Sequence, residues 1–144
     1  MRQPAGALVV DASILVASVL GRTSAILAHA AERRRLVVTD RAIEESLRRI
    51  ELGLKAPLLI PALHSVVTSM NVMPSSEFEN MIALAKITLA NAVASRNGST
   101  TDAHILACAW VTNADIWSYD RDFAGTGVAT WSTVNLMRAL GLSW

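Results

Sequence analysis

The sequence predicts an α/β fold in which helices cover both faces of a mostly parallel sheet. Short apolar runs that suit buried strands alternate with longer stretches of helical periodicity. This alternation is typical of strand-helix-strand units, whose strands lie parallel. The length of 144 residues is about that of one domain, so we expect residues 1–144 to form a single domain.

Five short runs are the predicted strands. The first, Leu8–Val10, is continuously apolar, as expected of a parallel strand that is covered on both faces. The others are Leu36–Val38, the short edge strand Asn71–Met73, Asp115–Ser118 and, after a glycine turn, Val128–Thr130.

Helices are predicted between these strands. Most begin at a Ser, Thr or Asp that can cap the first turn, and their apolar residues recur at helical spacing. They run from Thr23 or Ser24 to about Arg34, from the capping Asp40 to about Leu52, from Pro57 to Met70, from Ser75 or Ser76 to near Asn97, from Asp102 to Val111, and from Ser132 to Leu140. The helix from Asp102 is apolar almost all round, which predicts a central position.

The composition limits the class of protein. Hydrophobic residues make up 52% of the chain and charged residues 17%, which favours buried helices or a subunit interface. The formal net charge of +1 gives no general attraction to nucleic acid, so such binding must come from local patches or a bound metal.

The sequence also favours a cytoplasmic location. The single cysteine, Cys108, cannot form an internal disulfide, which favours a reducing compartment. Asp11 interrupts the apolar run that follows Arg2, which argues against a secretory signal. No uninterrupted apolar run reaches the roughly 18 to 20 residues that a membrane span requires.

Asp11 is the most informative residue because it lies inside the apolar run Ala7–Val16. A buried charge costs several kcal/mol, roughly, unless something pairs with it. Asp11 and Asp120 directly follow predicted strands. Glu45 lies early in the helix after the second strand, and Asp102 opens the helix that leads into the fourth. All four positions belong to the carboxyl-end edge of a parallel sheet, where functional groups collect.

Carboxylates gathered in this way predict a metal site. They repel one another and have raised pKa values unless a cation neutralises them. Oxygen ligands suit Mg²⁺ or Mn²⁺, whereas His29, His64 and His104 show no paired spacing for zinc. One or two such ions can acidify a bound water and align it with a phosphodiester, so the pattern predicts hydrolytic phosphodiester cleavage without a covalent nucleophile.

Four motifs follow one another along the chain: LVVDAS, TDRAIEES, TTDAHILACA and, before a glycine turn, ADIWSYDRDF. In order and spacing they resemble the PIN-domain nucleases, especially the toxin subunits of VapBC-type toxin-antitoxin pairs, over roughly Leu8 to Leu140. The resemblance implies a PIN-like three-layer α/β/α fold with about five strands. It also implies endonuclease action on RNA with Mg²⁺ or Mn²⁺, homodimers, and a small antitoxin as partner.

The same resemblance assigns roles to individual acids. It implies four catalytic acids, Asp11, Glu45, Asp102 and Asp120, and metal ligation by Asp11, Asp102, Asp120 and the assisting Asp122. It assigns no residue to substrate binding.

Two further positions follow from the resemblance, and one departs from it. The family's second acid lies six residues after a Thr, which from Thr39 selects Glu45 over Glu44. The family's hydroxyl two residues after the first acid is Ser13, which can support Asp11 or merely cap the local turn. The Arg-Asp pair that often precedes the third acid is absent, because Arg96 and Asn97 lie farther ahead of it.

Other functions fit the sequence less well. A catalytically silent PIN-fold binding or regulatory module is the alternative, but the retained acids argue against it. A phosphoacceptor receiver needs a Lys near the last strand, and the only lysines, Lys55 and Lys86, do not fit. A phosphatase with an Asp nucleophile would carry a second Asp where Ser13 stands.

Several conspicuous residues have a structural explanation. We expect Asp40 and Asp115 to be structural and His104 to be a packed or half-exposed histidine. We expect core packing for Trp110, Trp117 and Trp131, rather than stacking on bases. The arginines at 33–35, 48 and 49 can be a phosphate-binding stripe or a solvated helix face, and the second explanation is favoured.

Overall fold

The computed structural model describes residues 2–91, 101–119, 123 and 125–142. Within these residues, helices flank a five-stranded sheet in which every pair of neighbouring strands is parallel. The predicted three-layer α/β/α fold is therefore confirmed.

The strands are β1 (Ala7–Val10), β2 (Arg35–Thr39), β3 (Asn71–Met73), β4 (Asp115–Trp117) and β5 (Thr130–Trp131). Their order in the sheet is β3-β2-β1-β4-β5, with Leu8 of β1 opposite both Leu36 and Asp115. The last strand was predicted two residues too early. Gly127 adopts a φ of +87° in the preceding turn, and the chain reaches the sheet only at Thr130.

The α-helices are α1 (Ala12–Val19), α2 (Ser24–Arg33), α3 (Asp40–Arg48), α4 (Ile60–Val67), α5 (Glu79–Asn91), α6 (Ala103–Thr112) and α7 (Thr133–Leu140). A π turn, Arg49–Gly53, continues α3, and 3₁₀ turns at Pro57–Leu59 and Ser75–Glu77 precede α4 and α5. Three predicted helices are thus each divided into an α-helix and a turn of different pitch. The predicted extension towards Asn97 lies outside the described residues.

Helix α1 was not predicted. Its sequence continues the apolar run of β1, and five of its eight residues are buried, so it has no polar face to mark a helical period. A continuously apolar segment does not distinguish a buried helix from a strand. The available sign was Asp11, whose carboxylate accepts a hydrogen bond from the Ala12 N–H and caps the helix.

Helix α6 occupies the central position that its sequence predicts. Every side chain from Ala103 to Ala109 is buried, and the helix packs against β1, β2, β4 and α5. Cys108 lies in this buried segment, and burial raises the pKa of its thiol to about 12. Trp117 and Trp131 are also buried in the core, as expected. Within the part of the chain described, no helix is long and apolar enough to cross a membrane.

The strand order creates a crevice at the carboxyl ends of β1 and β4. The chain adds β2 and β3 on one side of β1, and it adds β4 and β5 on the other. Open α/β sheets bind ligands where the strand order reverses in this way. The Asp11 N–H donates to the Trp117 carbonyl oxygen at 3.0 Å, which holds the two strand ends together at that point.

Candidate active site

Three carboxylates from distant parts of the chain meet at this crevice. One oxygen from each of Asp11, Glu45 and Asp102 lies within 4.8 Å of the other two. Asp11 follows β1, Glu45 lies in the second turn of α3, and Asp102 is the residue immediately before α6. We call these three residues the carboxylate cluster.

Asp11 is held rigidly by hydrogen bonds to its two carboxylate oxygens. Its Oδ1 accepts from the Ala12 N–H at 2.7 Å, and its Oδ2 accepts from Ser118 Oγ at 2.7 Å and Ser13 Oγ at 3.2 Å. The Ser13 hydroxyl also accepts from the Tyr119 N–H at 3.3 Å. The hydroxyl of Ser13 therefore supports Asp11, and it also links the ends of β1 and β4.

The environment of Asp11 disfavours its charge. Burial raises the pKa of its carboxyl group above the ordinary value, and the negative charge of Glu45 raises it further. The hydrogen bonds from Ser118, Ala12 and Ser13 oppose this rise without cancelling it. A divalent cation between the carboxylates would remove the conflict, because it favours the ionised form.

Glu45 reaches the cluster from the exposed side of α3. Its Oε1 accepts a hydrogen bond from Arg49 Nη2 at 2.9 Å, an ion pair one helical turn apart. Glu44 is exposed and lines the adjoining cleft, but it is not one of the three clustered carboxylates. The acid in the cluster is therefore Glu45, the one that the Thr39 spacing selects.

Asp102 stands at the N-cap position of α6, but its side chain makes no capping hydrogen bond to that helix. Its role is therefore not that of an ordinary N-cap, the structural explanation for an Asp at this position. The carboxylate instead contributes an oxygen to the cluster beside Asp11 and Glu45.

An open cleft of about 380 Å³ adjoins the cluster. Helix α3 and the start of α6 form its walls, which are lined by Arg41, Glu44, Glu45, Arg48, Thr101, Asp102 and His104. The cleft therefore gives solvent and solutes access to two of the three clustered acids.

His104 joins the two helices that form this cleft. Its Nδ1 lies 2.8 Å from Thr39 Oγ1, and the same hydroxyl oxygen accepts from the Ala42 N–H at 3.0 Å to cap α3. Burial lowers the pKa of His104 to about 4, and the positive charge of Arg41 contributes to the fall. His104 is packed, as expected, but the sequence did not reveal its contact with Thr39. The cap of α3 is Thr39 and not the predicted Asp40.

The donor set fits a hard divalent cation. All three clustered groups offer carboxylate oxygens, the ligands that Mg²⁺ and Mn²⁺ favour. One of them is buried with a raised pKa, which is the state expected of an acid whose counter-charge is a metal ion. No histidine or cysteine belongs to the cluster among the described residues, so the set does not resemble a zinc site.

Other sequence-predicted positions either lie outside the described residues or make structural contacts. Asp120, Asp122 and Arg96 lie outside the described residues. Asp40 and Asp115 are structural, as expected: Asp40 accepts hydrogen bonds from the Ser75 N–H and hydroxyl, and Asp115 accepts from two N–H donors.

A phosphate-binding stripe is the less favoured explanation of the arginines at 33–35, 48 and 49, and the structure gives them several different surroundings. Arg33 donates to the Leu140 carbonyl oxygen, and Arg34 donates to the Pro4 carbonyl oxygen at 3.3 Å. Arg49 pairs with Glu45, whereas Arg48 lines the cleft. These residues therefore do not act as one phosphate-binding surface.

Sequence reasoning missed Ser118, which makes one of the two shortest hydrogen bonds to Asp11. The signal was available, because Ser118 directly follows β4 at the same sheet edge as Asp11. It also missed the position of Arg41 in the cleft, for which the spacing of four residues from Glu45 was the available sign.

Comparison with known proteins agrees with this fold. The family model described as "PIN domain" matches residues 9–141. A Pyrobaculum aerophilum protein, PAE2754, has a similar crystal structure with a TM-score of 0.64 and 20% sequence identity, covering 95% of this chain and 93% of that one. A toxin-antitoxin complex from Klebsiella pneumoniae is similar with a TM-score of 0.61 and 19% identity, covering 88% and 97%. No curated protein matches the sequence.

Proposed function

The chain belongs to the PIN-domain family, a nuclease fold, and from this premise we propose that it is an endoribonuclease that requires Mg²⁺ or Mn²⁺. The observation that carries the proposal is the carboxylate cluster, in which Asp11, Glu45 and Asp102 bring oxygens within 4.8 Å of one another. Carboxylates this close together repel one another, and a bound divalent cation would offset that repulsion. The predicted acids Asp120 and Asp122 would complete the set.

The residues of the site would have two different roles in catalysis. Asp11, Glu45 and Asp102 would hold the cation, and Ser118 and Ser13 orient the carboxylate of Asp11. A bound divalent cation supplies two things: it acidifies the attacking water, and it offsets the negative charge that develops on the phosphodiester. The cleft beside the cluster admits the RNA backbone.

We further propose that an antitoxin protein regulates this activity in the cytoplasm. The similar Klebsiella pneumoniae structure is described as a toxin-antitoxin complex. The cleft of this chain is open to solvent, so a partner protein that covered it would block access to the cluster.

We also propose that the protein forms homodimers. The connection between α3 and α4 exposes three leucines, and Leu58 has 92% of its surface in contact with solvent. Burying such side chains against a second copy would stabilise a dimer by about 1.5 kcal/mol or more for each. Light scattering after size exclusion tests this: a dimer that Leu58→Asp weakens is expected, and a monomeric wild-type protein at all concentrations would contradict it.

The central experiment measures cleavage of total RNA by the purified protein. Activity is expected with Mg²⁺ or Mn²⁺, and it should disappear with EDTA or in Asp11→Asn and Asp102→Asn variants. Asp115→Asn is the matched control, because it makes the same change in a buried aspartate far from the cluster. Cleavage that survives chelation, or survives both cluster substitutions, would refute the proposal. A folded protein that binds RNA without cutting it would support the binding-module alternative.

A further inference from the structure

Two arginines on helix α3 line the cleft and lie on either side of Glu45 in the sequence. Arg41 precedes Glu45 by four residues and Arg48 follows it by three, so all three side chains lie on one face of the helix. The two arginines are separated by about 10 Å along the helix axis. Both side chains are exposed.

These two arginines differ from Arg49. The guanidinium of Arg49 pairs with Glu45 at 2.9 Å, whereas no ion pair of Arg41 or Arg48 occurs among the described residues. Both guanidinium groups instead line the cleft beside Glu45 and Asp102.

From this arrangement we propose that Arg41 and Arg48 bind the phosphates of the RNA strand that flank the scissile bond. This inference rests on the proposed function, because it takes RNA as the ligand. Guanidinium groups suit the task, since each can donate two parallel hydrogen bonds to one phosphate.

The charges in the cleft explain why such contacts are needed. Four carboxylates, those of Asp11, Glu44, Glu45 and Asp102, lie in or beside the cleft and repel a polyanion. One divalent cation and the Arg49 guanidinium, which pairs with Glu45, together offset three of these charges. The whole chain carries a net charge of +1, so no strong general field attracts RNA to this surface. Arg41 and Arg48 offset the last of these charges and leave positive charge over for the phosphates, at the place where the strand must lie.

The experiment measures RNA binding separately from cleavage. Fluorescence anisotropy follows a labelled single-stranded RNA in Ca²⁺, with a gel to verify that the strand stays intact. The variants are Arg41→Gln and Arg48→Gln. The matched control is Arg35→Gln, which removes the same charge from an exposed arginine at the amino end of β2, the edge of the sheet opposite the cleft.

We expect each cleft variant to bind RNA about three- to tenfold more weakly than the wild type. The slope of log affinity against log salt should fall by about 0.7 for each arginine removed, as for a lost contact to a single-strand phosphate. Arg35→Gln should leave both quantities unchanged. Arg41→Lys and Arg48→Lys should restore the salt slope, because they restore the charge.

Each outcome decides between the claims. If Arg41→Gln and Arg48→Gln bind with the salt slope of Arg35→Gln while the wild type cleaves RNA, the phosphate contacts are refuted and the nuclease stands. If the salt slope falls in Arg41→Gln and Arg48→Gln but neither the wild type nor any variant cleaves RNA, the phosphate contacts stand and the nuclease is refuted. A wild type that binds no RNA refutes both. A change confined to thermal stability, with an unaltered slope, shows that the arginines only balance the carboxylates and refutes the contacts.

Discussion

Two buried aspartates at opposite ends of neighbouring strands have very different surroundings. Asp11 follows the carboxyl end of β1 and is 3% exposed, whereas Asp115 begins β4 and is 9% exposed. The Oδ2 atom of Asp115 accepts from the Ala5 N–H and from Trp131 Nε1, both at 2.9 Å. Asp11 also receives hydrogen bonds, but it shares its site with two other carboxylates.

Both aspartates are buried, and they differ in the groups that surround them. The two N–H donors of Asp115 fasten the amino-terminal segment and β5 to β4, which is a structural task. Burial and the negative charge of Glu45 oppose the ionisation of Asp11, a cost that a bound cation would offset. Burial alone therefore does not distinguish a metal-binding acid from a structural one, whereas neighbouring carboxylates favour a metal-binding role.

The largest expected effect concerns metal affinity. Asp11→Asn should weaken Mn²⁺ binding by at least about 100-fold, because loss of a direct ligand exceeds the 10- to 100-fold effect of its supporting partners. Calorimetric titration measures this, and Asp115→Asn should bind Mn²⁺ as the wild type does. Equal Mn²⁺ affinities in the two variants would contradict the claim that Asp11, and not Asp115, is a metal ligand.

The stability of the metal-free protein should decrease in acid because of His104, which lines the cleft. The pKa of His104 is about 4 in the folded protein, against 6.5 for a histidine fully exposed to water, so protonation favours unfolding. Its contribution to stability is complete above about pH 6.5 and decreases as the pH falls towards 4. The metal-free protein should lose about 2 kcal/mol of its free energy of unfolding between roughly pH 6.5 and pH 5.

Urea denaturation at the two pH values measures that loss, and His104→Asn should abolish most of it. The raised pKa of Asp11 has the opposite sign, because protonation of that group stabilises the folded protein. Equal losses of stability in the wild type and in His104→Asn between these pH values would therefore contradict the role given to His104.

The structural role of Asp115 predicts a loss of stability without a loss of metal. Asp115→Ala leaves the Trp131 Nε1–H and the Ala5 N–H without their acceptor. Unsatisfied buried donors of this kind cost about 1–3 kcal/mol, so we expect the free energy of unfolding to fall by about 2 kcal/mol. A variant as stable as the wild type in chemical denaturation would show that these bonds are dispensable.

The smallest effect is a gain in stability. Without metal, Asp11→Asn should raise the free energy of unfolding by about 1 kcal/mol, because it removes a charge that burial and Glu45 disfavour. Saturating Mg²⁺ should reverse the order, since it stabilises only the protein that binds it, by about 2.7 kcal/mol at 100 times the dissociation constant. Thermal unfolding with and without Mg²⁺ tests both signs, and an Asn variant less stable than metal-free wild type would contradict the first.

Much of this arrangement could be predicted from the sequence. The alternation of apolar strands and amphipathic helices predicts the parallel sheet, and topology alone brings Asp11, Glu45 and Asp102 to one edge. The carboxylate cluster needs no local motif, because each acid is positioned by the strand or helix end beside it.

Other features could not be predicted because they depend on contacts between segments. Helix α1 has no polar face, so its period is hidden in an apolar run. The bond between His104 and Thr39 joins residues 65 positions apart, and no local pattern marks either of them as a partner of the other. The separation of the arginines into a cleft pair and a Glu45 partner depends on side-chain direction, which sequence spacing constrains only loosely.

The carboxylate cluster and the hydroxyls that orient it come from β1, α3, α6 and the residue after β4. A chain still emerging from the ribosome therefore lacks a complete site until the codon for Ser118 has been translated and β4 has docked beside β1. A fragment that ends before β4 should therefore lack the complete site.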